Sequence, residues 1–99
     1  MSAPAAPRQR PVIRVQVPPV EIELLDAKVT IIEVHRYETP WTGPMYHVAC
    51  TVEWGGYRSQ VFFVDAKDNE ELEQKLKVEI AKMKLMVMTG YTAPLQRIA

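Results

Sequence analysis

VEWGGYRSQVFFVD, Val52–Asp65, is the stretch that decides the fold. It carries aromatic rings on both sides of a Gly-Gly pair and then alternates polar and apolar residues. A two-residue turn at Gly55-Gly56 predicts a hairpin in which Trp54 faces Tyr57, Val52 faces Ser59, Cys50 faces Val61 and Val48 faces Phe63. Those pairs make one apolar face. Period-two geometry sends Glu53 with Arg58, Thr51 with Gln60, Ala49 with Phe62 and His47 with Val64 to the other. The first face is core. The second is mixed and predicted to be open.

Downstream of the hairpin, the charged run DNEE opens a helix, with Asp68 as N-cap and Glu71 closing a capping box. Leu72, Leu76, Ile80, Met83 and Val87 form one stripe at helical spacing, and Val78, Ala81, Leu85 and Met88 form a second beside it. The helix is predicted over 68–89, with Gly90 ending it. Its last turns, MKLMVM, are apolar nearly all round. One sheet face buries only one side of a helix, so the remainder asks for a partner. Met83, Leu85, Met86, Val87 and Met88 are the candidate interface of a homo-oligomer, a dimer or a tetramer. The tail YTAPLQRIA receives no assignment.

Upstream, VEIELLDAKVTIIEVHRYE is predicted to fold about Asp26-Ala27, with Leu24 opposite Val29, Ile22 opposite Ile31 and Glu23 opposite Thr30. Apolar parity switches between Ile31 and Ile32, which calls for a bulge. Glu38–Pro44 is loop by composition. Val12–Val17 is a short strand closed by Pro18-Pro19. Residues 1–11, with three prolines and the cations Arg8 and Arg10, read as a flexible basic arm ahead of a single domain over 12–99. The fold class is α+β: an antiparallel sheet of about four strands with one long C-terminal helix packed on one face.

Composition narrows the function classes. Twelve basic and twelve acidic residues cancel over 99 positions, so no global field holds a polyanion or a membrane. One cysteine excludes an internal disulfide framework and a multi-cysteine metal site. No apolar run reaches spanning length and no signal-peptide core is visible, so the expected setting is cytoplasmic, without a membrane partner. No cofactor is implied, because the glycines stand at turns and a cap rather than in a phosphate loop.

The residues that could do chemistry are few. Cys50 falls on the predicted core face, and His35 and His47, which could meet across neighbouring strands, do not by themselves close a zinc site. The chain therefore reads as a binding protein rather than an enzyme. The predicted open face offers a ring and cations for single-stranded nucleic acid, where bases stack on aromatics. Candidate contacts are Arg36, Tyr37, Trp41, Tyr46, His47, Arg58, Gln60 and Phe62. The competing expectation is that this face is covered by protein.

The pairing of VEWGGYRSQVFFVD with DNEELEQKLKVEIAKMKLMVM resembles the N-terminal domain of the ThermoDBP-related single-stranded DNA-binding proteins of hyperthermophilic archaea, over residues 12–89. That resemblance implies an oligomer whose cleft holds a single strand, DNA rather than RNA, with rings and cations. The matching positions are Phe62, Arg58, Arg36 and the Tyr37/Trp41/Tyr46 group. The extended zipper that follows the helix in longer relatives is absent, and zero net charge departs from a strong DNA binder. Double-stranded RNA-binding domains also end in strands and a helix, but the helix they place first is missing here. Two functions are carried forward: non-catalytic single-stranded nucleic-acid binding by a homo-oligomer, and a small structural or adaptor subunit that binds protein through its sheet face and apolar helix.

Overall fold

A computed structural model of the chain describes residues 13–15, in backbone alone, and residues 19–99. The arm expected over 1–11, with Arg8 and Arg10, lies outside the described residues. The elements run β1 (Ile13–Val15), β2 (Val20–Leu24), β3 (Ala27–Thr39), β4 (Gly43–Trp54), β5 (Tyr57–Arg58), β6 (Phe62–Ala66), α1 (Asn69–Thr89) and β7 (Gln96–Arg97). The architecture is α+β with every strand pair antiparallel. The expected four or so strands become seven segments because β1 and β2 both pair along β3, while β5 and β6 both pair along β4. Four ranks across the sheet remain, with β7 added beside β5.

Two turns set the registers. The β2–β3 turn is Leu25-Asp26, both at positive φ, rather than Asp26-Ala27, so Leu24 pairs with Ala27 and Ile22 with Val29. The slip from the expected register is an even number of residues, so every side chain keeps its face. Gly55 and Gly56, at φ 62 and 84, form the β4–β5 turn as expected. Gly55 is doubly constrained, because a Cβ there would stand 3.3 Å from Val87 Cγ1 of the helix. The bulge expected near Ile32 is present, since Ile31 pairs with Cys50 and Glu33 with Ala49. It carries the core parity from Ala27, Val29 and Ile31 over to Val34.

The helix matches its sequence pattern. Asp68 Oδ1 accepts the Glu71 N–H at 2.8 Å, and Glu71 Oε1 accepts the Lys67 N–H at 2.7 Å, so the capping box closes one residue earlier than usual. At the other end Gly90 adopts φ 83, and the Tyr91 N–H reaches the Met86 carbonyl. Leu76, Ile80 and Met83 are buried against Val48, Cys50 and Val52 of β4, and Leu72 and Val87 extend that stripe. The unassigned tail also has a role: Leu95 packs on the core, and β7 pairs Arg97 with Tyr57 and Gln96 with Arg58.

Candidate functional site

The Val52–Asp65 hairpin holds the main correction. Glu53 pairs with Arg58 and Trp54 with Tyr57 as expected, but Phe62, not Val61, stands opposite Cys50. The pairing has slipped by one residue between Arg58 and Phe62. Ser59 explains how. Its N–H donates to the Val52 carbonyl at 2.8 Å, but its hydroxyl, rather than its carbonyl, accepts the Val52 N–H at 2.9 Å. That hydroxyl donates in turn to the Gln60 carbonyl, and the chain leaves the ladder over residues 59–61. An odd slip exchanges the faces of everything downstream. Phe62 therefore packs on the core from the helix side, and Phe63, 60% exposed, takes its place on the outer face opposite Ala49.

The eight candidate nucleic-acid contacts do not share one surface. Register places Arg36 and Tyr46 opposite each other on the helix side of the sheet, the same side as Phe62. Tyr46 packs on the core, and Arg36 holds Glu38 at 3.1 Å. Tyr37 and His47 fall on the outer side, and so does Arg58 opposite Glu53. Trp41 stands 88% exposed at the β3–β4 tip, and Gln60 lies in the irregular stretch. Phe63 and Asp65, which sequence parity turned inward or left out, join the outer face instead.

That outer face has two regions. Glu21, Lys28, Glu53 and Arg58 form a ladder of ion pairs across β2 to β5, with separations of 3.7, 3.5 and 3.0 Å. Near the far end of the long hairpin, His47 and His35 stand opposite each other, as the sequence allowed. His47 Nδ1 lies 2.6 Å from Asp65 Oδ1, and its ring stacks on Phe63 at 4.8 Å with planes 6° apart. His35 Nε2 lies 3.3 Å from Glu33. Desolvation, followed by the charge and hydrogen bonding of Asp65, holds the Tyr37 hydroxyl above its ordinary pKa. Each imidazole is thus engaged by a carboxylate, and the residues paired with His47 in register are His35 and Asp65. Among the described residues no group of three or more ligating side chains is placed to hold a metal ion.

Charge on this face is unhelpful to a polyanion. Among the described side chains, Glu21, Glu23, Glu33, Glu53 and Asp65 outnumber Lys28 and Arg58.

The helix side offers apolar surface. The Val78, Ala81, Leu85 and Met88 stripe faces away from the sheet, with Val78, Leu85 and Met88 at 54%, 61% and 73% exposure. The expected oligomer interface is divided accordingly. Met83 is a core residue at 2% exposure, Val87 packs on the core, and Met86 lines a cleft with Pro94 and Leu95. Only Leu85 and Met88 of that group stand fully on the surface. The physical reason is the spacing: Met83 and Val87 continue the Leu76–Ile80 stripe. Alongside the N-terminal half of the helix, a trough of about 530 Å³ is lined by Ile31, Val34, Tyr46, Val48 and Leu72. It exists because α1 begins only at Asn69, which leaves the β3–β4 surface around Val34 and Tyr46 beyond its first turn.

No protein-family model matches the chain, and neither a curated protein nor a solved structure matches it significantly. Among the described residues no helix is long and apolar enough to cross a membrane.

Proposed function

We propose that this chain is a non-catalytic docking subunit, which holds another polypeptide against the outward face of its helix. The observation that carries the proposal is the exposed stripe Val78–Ala81–Leu85–Met88 on a regular, well-capped helix. Exposed apolar side chains aligned along one face are costly to leave in water and mark an interaction surface. A cytoplasmic setting belongs to the proposal, in keeping with the single free thiol.

Binding of single-stranded nucleic acid, DNA in preference to RNA, is the competing proposal, and the stacked Phe63 and His47 rings with Tyr37 and Trp41 are what favour it. The acid excess around them and the division of the candidate contacts between two faces weigh against it.

A charge-unbiased displayed peptide library selected on the full chain separates the two. Docking predicts enriched peptides whose capture is lost in Leu85→Glu, a variant whose melting temperature stays near wild type. No seam-dependent peptide, together with salt-reversible quenching of Trp41 by a short oligonucleotide, would transfer the function to nucleic acid.

A further inference from the structure

The outward stripe has a cationic rim on each side. Val78, Ala81, Leu85 and Met88 recur at spacings of three, four and three, the a and d positions of a heptad. Turning about 100° per residue from them, Lys75 and Lys82 border one side and Lys77 and Lys84 the other, the e and g positions. Contacts agree with that placement. Lys75 donates to the Asp65 carbonyl on β6, whereas Lys84 donates to the Leu25 carbonyl at the β2–β3 turn and lies 5.4 Å over the Trp54 ring. Glu71, Glu73 and Glu79 hold Lys75, Lys77 and Lys82 at 3.4, 3.3 and 3.3 Å, with Glu79 less exposed than its lysine and Glu73 more exposed. From Lys75 to Thr89 the flanks carry four lysines against the single Glu79, so the apolar seam runs between net cationic borders.

This arrangement discriminates between occupants. In a parallel pair of copies e positions face g positions, and in an antiparallel pair e faces e and g faces g. Beside the Val78–Met88 seam, Lys77 then opposes Lys82 in a parallel pair, and the lysine rows meet their own kind in an antiparallel one. Like charges across such a seam disfavour pairing, and complementary flanks select the partner. We infer that the seam receives an amphipathic helix of a different protein, with apolar residues at a and d and glutamate or aspartate along both flanks. The inference rests on the docking function proposed above and names the partner's chemistry. Val78 to Met88 rises about 15 Å, so the partner helix engages over roughly three turns.

Two labelled synthetic helices of about fourteen residues test it on the full chain, both with leucine at a and d, one with glutamate and one with lysine at e and g. The glutamate peptide should bind at least about tenfold more tightly, and that advantage should shrink as salt screens the flanks. Leu85→Glu should abolish binding of the glutamate peptide, and Lys77→Gln with Lys82→Gln should bring the two peptides towards equal affinity. Equal affinities for the wild-type chain, or no binding of either peptide, would overturn the acidic-partner assignment. So would a wild-type dimer in sedimentation that Leu85→Glu dissolves, because the seam would then belong to a second copy. If the library yields seam-dependent peptides while the glutamate helix fails, only the partner class falls. If it yields none, the docking function falls with it.

Discussion

At the scale of the residue, one hydroxyl redirects the molecule's outer surface. Ser59 Oγ takes the Val52 N–H that a backbone carbonyl would take in a regular ladder, and Phe62 and Phe63 exchange faces as a result. Ser59→Ala leaves that half-buried N–H without its acceptor, so it should lower stability by about 1–2 kcal/mol in denaturant unfolding. A change within a few tenths would mean that the hydroxyl does not hold the register. The same residue shows why the face of Phe62 was illegible. Val61, Phe62, Phe63 and Val64 are all large and apolar, so either parity offers the core a plausible set. Ser59 advertises no preference for using its side chain over its backbone. Trp54 and Tyr57 were readable because the Gly-Gly turn fixes them within one residue of the bend.

At the scale of the element, turns and caps decide what local sequence permits. The β2–β3 turn places Leu25 at φ 51 and Asp26 at φ 70, which suits asparagine and glycine far better. A leucine held in the left-handed region costs about 1–2 kcal/mol, and this one is half exposed, so little burial opposes its replacement. Leu25→Asn with Asp26→Gly should therefore raise stability by about 1 kcal/mol, read as a higher denaturation midpoint with an unchanged slope. A lower midpoint would show that Leu25 contributes packing. The helix start responds to pH. The Lys67 N–H bond to Glu71, helped by the charge of Lys75, holds the Glu71 carboxyl below its ordinary value of 4.5. As pH falls, the unfolded chain takes up that proton first, so the cap's contribution is present above about 4.5 and is lost as pH drops through the lower folded value. Helix signal in acid titration should decline less steeply in Glu71→Gln than in wild type. The capping box and both helix stripes were visible in the sequence, because helical spacing and an Asp-x-x-Glu start are local signals.

At the scale of the whole molecule, one helix on one sheet makes a single core, and Cys50 lies at its centre. The thiol is fully buried between Val48, Val52 and the Leu76–Ile80–Met83 stripe. Reaching it requires lifting the helix from the sheet, and among the described residues no second layer would hold the strands' apolar face once that happened. Opening at Cys50 and global unfolding should therefore be one event, so alkylation by a small maleimide near neutral pH should proceed at the rate set by global stability. A destabilising core change such as Ile80→Ala should accelerate labelling in proportion to its effect on the unfolding equilibrium, whereas Leu85→Glu, on the outward seam, should leave it nearly unchanged. Labelling that outpaces global unfolding would reveal a sheet that survives undocking of the helix. The thiol also gives the molecule an alkaline limit. Burial, and then the nearby Glu79 charge, push its pKa from 9.0 to about 11. Between those values the unfolded chain has lost the proton that the folded chain keeps, so this contribution is complete below about 9 and falls away as pH rises towards 11. Cys50→Ala should flatten the stability profile across that interval. A wild-type profile already flat there would mean that the thiol meets solvent without unfolding.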